Sequence, residues 1–178
     1  RLDSRRTKQP ARLAYIIDGV ERDNKSSIDH VFRVANGLIA AGIGKGDRVA
    51  VLSRNSLECA EVMTGILCSG ASMVPVPNTA TPEAQKKMLL DSAVKGLFVS
   101  DQYRDAAIEH FMDIPSIRPD LRFALETACD QFHDHTAWAN AFDVSSPNVY
   151  MAPDEEYDIL YSSGTTGIPK GIIHSHLA

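Results

Sequence analysis

The stretch that decides the fold runs from Arg48 to Val76 and reads RVAVLSRNSLECAEVMTGILCSGASMVPV. Its first five residues form a short apolar run, the pattern of a strand that is buried on both faces. A cap at Asn55 or Ser56 predicts a helix from Leu57 to about Ser69, which a glycine then ends. The last four residues predict a second strand, whose proline places it near a sheet edge or a bulge.

The same alternation of strands and helices continues on both sides of this stretch. Thr81, Pro82 and Glu83 predict a helix start, with a hydroxyl cap, a first-turn proline and an adjacent acid. Upstream, Ser26 and Asp29 have capping-box spacing ahead of apolar residues at helical intervals. The other expected elements are strand 97–100, helix 101–112, short strand 121–125, a short helix around residue 138, strand 158–161 and a returning hairpin arm at 171–174. This order predicts an α/β fold with a doubly wound, mostly parallel sheet flanked by helices.

Composition and charge exclude several classes of protein. The 178 residues are 44% hydrophobic and 23% charged, as in an ordinary globular domain. A net charge of −5 leaves no basic excess for binding nucleic acid or an anionic membrane. No apolar run approaches the roughly eighteen residues of a membrane span, and no signal-peptide pattern is present. The chain opens with Arg1 instead of Met, which indicates that its natural start is missing.

The three cysteines indicate a reducing environment. Cys59, Cys68 and Cys129 are odd in number and widely spaced, and two of them fall inside an apolar helical pattern. Free cysteine in that position usually acts as a small buried hydrophobic residue. The sequence therefore predicts a cytoplasmic protein.

The segment from Tyr161 to Gly171 reads YSSGTTGIPKG and directly follows a predicted strand. Its glycines permit close approach of backbone N–H groups to a ligand, and its four hydroxyl side chains add donors. Lys170 supplies a compact positive charge suited to phosphate oxygens. Ligands of open α/β sheets bind beyond the carboxyl ends of strands, so the pattern predicts a polyphosphate-binding loop.

Two better-known phosphate motifs are excluded. The Walker pattern fails because Pro169 stands where its second glycine is required and Gly171 follows the lysine. The glycines of GIGKG, at residues 42–46, precede a strand and lack the spacing of a dinucleotide fingerprint. The loop is therefore of another type.

The eleven-residue segment closely resembles the phosphate-binding signature of the adenylate-forming superfamily, which includes acyl-CoA synthetases, aryl-CoA ligases, luciferases and the adenylation domains of peptide synthetases. Further blocks occur upstream in the usual order of that family: AYIIDG (14–19), AAGIGKGDRVAVLSRNS (40–56), ASMVPVPNTATPEAQKKMLLDS (71–92) and GLFVSD (96–101). Residues 103–157 show only generic pattern. The resemblance implies the N-terminal subdomain of such an enzyme, with a terminal segment at 1–13, an α/β subdomain at 14–157 and the strand and phosphate-binding loop at 158–176.

The resemblance also implies a reaction. Such enzymes use ATP and Mg²⁺ to convert a carboxylic acid into an acyl-adenylate and pyrophosphate, and most then pass the acyl group to the thiol of CoA or of a carrier protein. Hydrogen bonds to the phosphates and the metal shell fall to Ser162, Ser163, Thr165 and Thr166. The resemblance assigns close backbone approach to the phosphates to Gly164 and Gly167. It assigns balance of the pyrophosphate charge to Lys170, and phosphate contact or bracing of the loop to His176. Lys170 and Thr166 are the candidate catalytic residues, and no protein ligand of a metal is predicted.

One main interpretation and two alternatives stay open for the function of the chain. Members of the family continue for several hundred residues beyond this loop, so we expect the chain to be a fragment that is inactive alone. An adenylation domain that loads a carrier protein is one alternative, and a non-catalytic nucleotide-binding module is another. The acid itself (fatty, aryl or short-chain) cannot be predicted, although IIHSH at residues 172–176 is nearer to the CoA ligases.

Other candidate sites have simpler interpretations. His133 with His135, and His174 with His176, have H-x-H spacing, but no cysteine or acidic cluster is spaced to complete a zinc site. The acids around residues 154–158 are typical of a polar loop before a buried strand. The aromatic residues near position 138 indicate local packing.

Overall fold

The computed structural model of the chain describes residues 2–162 and 169–177. The helices are α1 (Leu2–Lys8), α2 (Asn24–Ala40), α3 (Leu57–Cys68), α4 (Pro82–Asp91), α5 (Asp101–Phe111) and α6 (His135–Ala139), with a 3₁₀ turn at Pro119–Leu121. The strands are β1 (Leu13–Ile17), β2 (Val20–Asp23), β3 (Arg48–Leu52), β4 (Ser72–Pro75), β5 (Gly96–Val99), β6 (Arg122–Ala124), β7 (His133–Asp134), β8 (Glu156–Ser162) and β9 (Lys170–Ser175).

Seven of these strands form one sheet in the order β7-β6-β5-β3-β4-β8-β9. Every neighbouring pair is parallel except β8 and β9, which form an antiparallel hairpin. The chain moves from β3 to β4 on one side and then crosses to β5 on the other, as in a doubly wound sheet. The predicted fold class is therefore confirmed.

Two cores lie on opposite faces of this sheet because alternate strand residues point to opposite sides. Val49 and Val51 of β3 face α2 and α3, whereas Ala50 and Leu52 face α4 and α5. All four side chains are buried. This burial on both faces is what the near-continuous apolar composition of β3 predicts.

The expectation of an edge position for β4 is wrong. The strand lies between β3 and β8, inside the sheet. Pro75 is its last residue, beyond the Met73–Asp158 pair that joins it to β8. The missing N–H of the proline therefore interrupts no paired position on that side.

Side-chain caps fix where the main helices begin. Ser56 accepts a hydrogen bond from the backbone N of Cys59 at 3.1 Å, and Thr81 caps α4 in the same way. For α2 the predicted cap was wrong: Asp23 is the N-cap, and its Oδ1 accepts from the backbone N of Ser26 at 2.7 Å. An ionised carboxylate is well suited to this position at the helix N-terminus.

Residues 2–23 contain more secondary structure than a terminal segment suggests. Strands β1 and β2 form a small separate antiparallel sheet. Asp18 and Gly19 turn between them with φ values of 52° and 78°, both positive as in a type I′ hairpin turn. Helix α1 is tied to α2 by the Arg6–Asp29 ion pair. The predicted boundaries of the α/β subdomain, after residue 13 and at residue 157, stay a prediction.

No described helix has the length and apolar character to cross a bilayer.

Candidate functional site

The predicted phosphate-binding loop is carried by the two arms of the β8–β9 hairpin. Ser162 ends β8 and Lys170 begins β9, and the two residues are direct cross-strand partners. Both side chains are exposed. The predicted site residues between these arms lie outside the described residues: Ser163, Gly164, Thr165, Thr166 and Gly167.

The hairpin opens at the carboxyl edge of the parallel strands. Strand β8 runs parallel to β4, which runs parallel to β3, so Ser162 lies at the edge where these strands end. Ligands of open α/β sheets bind beyond this edge. The sequence-based placement of the loop is therefore consistent with the strand directions.

The two faces of the hairpin differ in composition. One face, here called the Ser162 face, carries three cross-strand pairs: Ser162 with Lys170, Leu160 with Ile172, and Asp158 with His174. The opposite face, here called the core face, carries two cross-strand pairs: Ile159 with Ile173, and Tyr161 with Gly171. Ile159 is 3% exposed and packs into the core on the α4 side of the sheet, with Tyr161 packed against that core. The Ser162 face is therefore polar at the open end of the hairpin, where Ser162 and Lys170 lie. It is apolar at the next pair, Leu160 and Ile172.

The mouth of the hairpin is the end formed by Ser162 and Lys170. Ion pairs and hydrogen bonds stabilise the opposite end of the hairpin. The carboxylate of Glu156 accepts two hydrogen bonds from the guanidinium of Arg48, both at 2.8 Å. These bonds lower the pKa of Glu156. Nδ1 of His174 lies 2.6 Å from Oδ1 of the nearly buried Asp158. Within the described ranges, the salt bridges of the hairpin arms involve these residues and not Lys170.

Tyr161, the residue before Ser162, links the hairpin to α4. Its hydroxyl donates to Oδ2 of Asp91 at 2.6 Å, and the carbonyl oxygen of Met88 lies at 3.1 Å as a second acceptor. Burial, followed by the contact with Asp91, raises the pKa of Tyr161. Sequence reasoning missed Asp91, because nothing in a lone helical aspartate indicates a contact with a strand seventy positions away.

His176 lies at the other end of the hairpin from the predicted loop. Its ring packs edge-on against Tyr157, with centroids 5.1 Å apart, and its backbone N donates to the carbonyl of Glu155. The six residues of β9 separate it from the mouth by about 20 Å at the usual strand rise. The described residues therefore bring Ser162 and Lys170 together, but not His176 with them.

Two further histidine and acid candidates, His135 and Glu155, have structural partners. His135 is buried, and its Nδ1 donates to the carbonyl of Ala124 at 3.0 Å; burial lowers its pKa. Glu155 pairs with Lys45 at 3.0 Å. Within residues 2–162 and 169–177, no group of three His, Cys, Asp or Glu side chains is placed to hold a metal ion. Trp138 packs against Phe123, with ring centroids 4.4 Å apart.

A cleft of about 280 Å³ lies elsewhere, between α1, β1, α2 and α3. Arg5, Gln9 and Arg12 line its polar side, and Ile28 and Val31 line its apolar side. Among the described residues, none that lines the cleft belongs to the arms of the hairpin. Ser162 and Lys170 therefore lie outside this cleft.

Known proteins resemble this chain over nearly its whole length. The family model described as "AMP-binding enzyme" matches residues 2–178. A medium/long-chain-fatty-acid–CoA/3-oxocholest-4-en-26-oate–CoA ligase from Mycobacterium marinum is 30% identical, over 94% of this chain and 32% of its own length. The fatty acid–[acyl-carrier-protein] ligase ScoC from Streptomyces coeruleorubidus is 33% identical, over 81% of this chain and 26% of its own length. This chain thus spans about a quarter to a third of these relatives.

A solved structure agrees with the fold. The inhibitor-bound N-terminal domain of FACL13 from Mycobacterium tuberculosis matches with a TM-score of 0.81 and 29% identity, covering 98% of this chain and 43% of that one. The family match, the relatives and this fold all agree with the resemblance of residues 161–171 to the adenylate-forming signature. The chain belongs to the AMP-binding enzyme family, that is, to the adenylate-forming superfamily that includes the acyl-CoA ligases.

Proposed function

We propose that this chain supplies the phosphate-binding part of an acid–thiol ligase. The reaction begins when a carboxylate oxygen attacks the α-phosphorus of ATP and the bond to the β-phosphate oxygen breaks, giving an acyl-adenylate and pyrophosphate. A thiol, most simply that of CoA, then attacks the acyl carbon and releases AMP. The observation that carries the proposal is the Ser162–Lys170 pair at the carboxyl edge of the sheet, in a chain of this family.

The chemistry of the hairpin mouth fits a polyphosphate. A hydroxyl from Ser162 and an ammonium from Lys170 are exposed side by side on one face. In the proposal, Ser163, Thr165 and Thr166 add hydroxyl donors, and Gly164 and Gly167 let backbone N–H groups approach the phosphates. Such fixed donors stabilise the charge that develops on departing pyrophosphate. Lys170 and Thr166 are the residues to which we assign catalysis.

ATP would arrive with Mg²⁺ bound to its phosphates, as is usual for this cation. The metal supplies further stabilisation of phosphate charge, and the loop hydroxyls would hydrogen-bond within its shell. The role of His176 is proposed as bracing of the far end of the hairpin, where it packs against Tyr157. A reducing, cytoplasmic setting fits the three unpaired thiols of Cys59, Cys68 and Cys129.

The test is carboxylate-dependent exchange of labelled pyrophosphate into ATP, measured on the complete gene product with fatty, aryl and short-chain acids. Removing one preorganised donor to a developing anion typically lowers kcat by about 10²–10³, so we expect that loss from Lys170→Ala. The matched control is Lys8→Ala, which removes an exposed lysine on α1. Full exchange by Lys170→Ala would refute the assigned role of the lysine.

The 178-residue chain alone is a separate case. Because it spans only 26% and 32% of the two relatives described above, we propose that it lacks groups needed for turnover. We expect no exchange from it under conditions in which the complete gene product is active. Exchange by the isolated chain at a comparable rate would show that these residues are sufficient.

Transfer to a carrier protein is the second candidate, because ScoC is named as an acyl-carrier-protein ligase. The first half-reaction is then the same and only the thiol differs. Incubating the preformed acyl-adenylate complex with CoA, or with a phosphopantetheinylated carrier protein, separates the two. Thioester formation on CoA alone favours the first candidate, and thioester on the carrier alone favours the second.

A further inference from the structure

The side chain of Tyr161 joins the mouth of the hairpin to helix α4. Its hydroxyl lies within hydrogen-bond distance of both Asp91 and the carbonyl oxygen of Met88. One side chain of β8 therefore contacts two acceptors in the last turns of the helix. Ser162 follows immediately in sequence. Any movement of Tyr161 relative to α4 therefore moves the first arm of the proposed loop.

The second arm is coupled to the same side chain through Gly171. Gly171 is the cross-strand partner of Tyr161, and a Cβ added there would lie 3.2 Å from both Cε1 and Cζ of the tyrosine ring. It would also lie 3.0 Å from Cγ2 of Ile159. The tyrosine ring therefore packs against Gly171 of β9, which has no side chain and directly follows Lys170. Here glycine is needed for close approach and not for an unusual backbone angle.

The end of α4 is also linked to the start of β8. Arg48, which binds Glu156 at the start of β8, also donates through Nη1 to the carbonyl oxygen of Ser92 at 3.2 Å. Met88 and Leu89 of α4 are buried. The helix end is therefore anchored in the core; Tyr161 of β8 contacts it directly, and Glu156 of β8 is linked to it through Arg48.

We propose that Tyr161 is a positioning residue that, through Asp91 and Gly171, fixes Ser162 and Lys170 for binding the phosphates of ATP. This inference rests on the proposed function. Two arms that are already held in place before binding lose less conformational freedom when ATP binds, so the anchor favours ATP affinity. Tyr161 does not itself touch the nucleotide in this proposal.

The decisive variant is Tyr161→Phe in the complete gene product, which removes the hydroxyl and keeps the ring. We expect the KM for ATP in the exchange reaction to rise by about five- to tenfold, with the KM for the acid unchanged, which corresponds to the net worth of one ordinary hydrogen bond. A merely structural role would lower the folded fraction, and with it kcat, while leaving both KM values unchanged. Tyr150→Phe, at an exposed tyrosine outside the hairpin, is the matched control and should resemble wild type.

Variants of the two partners test the anchor from the other side. Asp91→Ala should reproduce the rise in the KM for ATP, whereas Asp91→Asn, which retains an acceptor oxygen, should largely restore it. Gly171→Ala should act in the same direction because its Cβ displaces the tyrosine ring. Asp91 is exposed, so its variants should keep their thermal unfolding temperature even if Tyr161→Phe folds poorly.

The outcomes separate this inference from the proposed function. Wild-type enzyme that exchanges pyrophosphate while Tyr161→Phe and Asp91→Ala keep the wild-type KM for ATP would overturn the inference alone. Wild-type enzyme that exchanges with none of the acids would overturn the proposed function, and this inference with it. A rise confined to the KM for ATP in both variants supports both.

Discussion

The central strands β3–β5 and the β8–β9 hairpin belong to one sheet but are held in it differently. β3 pairs with β4 and with β5 over four residues each, and it is buried on both faces. β8 has a single register pair with β4, and the Ser162 face of the hairpin leaves Leu160 and Ile172 at 40% and 50% exposure. The centre is thus held by strand pairing and packing, whereas the hairpin depends more on a few side-chain anchors.

The largest expected effect is on the centre. Phe98 is fully buried and stacks on Phe123, with ring centroids 4.8 Å apart. Phe98→Ala should lower the free energy of unfolding by about 3–5 kcal/mol, because it opens a cavity in a packed core. Urea unfolding measures the change.

Ile172→Ala is the counterpart in the hairpin. The side chain is half exposed, so its truncation should cost less than about 1 kcal/mol. Equal losses from Phe98→Ala and Ile172→Ala would contradict the distinction between the two regions.

The next effect is a pH dependence that originates in the central region. Glu61 of α3 is 1% exposed; its Oε1 has no hydrogen-bond partner among the described residues, and Arg22 lies 3.6 Å from Oε2. Burial raises its pKa from 4.5 to about 7, against the opposing influence of Arg22 and Ser27. The folded state then binds the proton more tightly than the unfolded state, so this group makes stability fall as pH rises from 4.5 to about 7. The full loss is on the order of 3 kcal/mol, at about 1.4 kcal/mol per pKa unit.

Glu61→Gln should abolish that decrease, as measured by urea unfolding across this pH range. The comparison must be between variant and wild type, because burial also lowers the pKa of His30 to about 4. That histidine makes stability rise with pH from about 4 to 6.5, in the opposite direction. A difference between Glu61→Gln and wild type that does not change with pH would refute the assignment.

The smallest of these effects is in the hairpin and has the opposite sign with pH. The hydrogen bonds from Arg48 lower the pKa of Glu156 below 4.5, so its contribution to stability is present above pH 4.5 and is lost as pH falls below it. Because the pair is partly exposed, Glu156→Gln should cost only about 1 kcal/mol at neutral pH. Its unfolding curve should converge with that of wild type in acid, and Asp154→Asn, at a neighbouring exposed carboxylate, provides a comparison.

The sequence was a good guide where local chemistry decides the structure. The apolar run of β3 and the caps at Ser56 and Thr81 are local signals, and the structure agrees with them. Asp18-Gly19 is also a local hairpin signal, although the expected elements did not include the β1–β2 sheet that it joins.

Features that depend on distant parts of the chain were not predictable. The interior position of β4 depends on β8, which lies far along the sequence, and the link from Tyr161 to Asp91 depends on how the hairpin lies over α4. For the site itself, the motif predicted which residues belong to the loop. Ser162 and Lys170 proved to be cross-strand partners, whereas the position of His176 at the opposite end depends on the length of β9.

The late position of β8 in the sequence has a consequence for synthesis on the ribosome. Residues 76–155 separate β4 from β8, so their pairing requires closure of a long stretch of chain. Such non-local pairing forms slowly, because the entropy of loop closure must be offset before any contact is gained. A nascent chain can therefore assemble β3, β4 and β5 while the two arms of the β8–β9 hairpin are still being translated, and those arms join strands that are already folded.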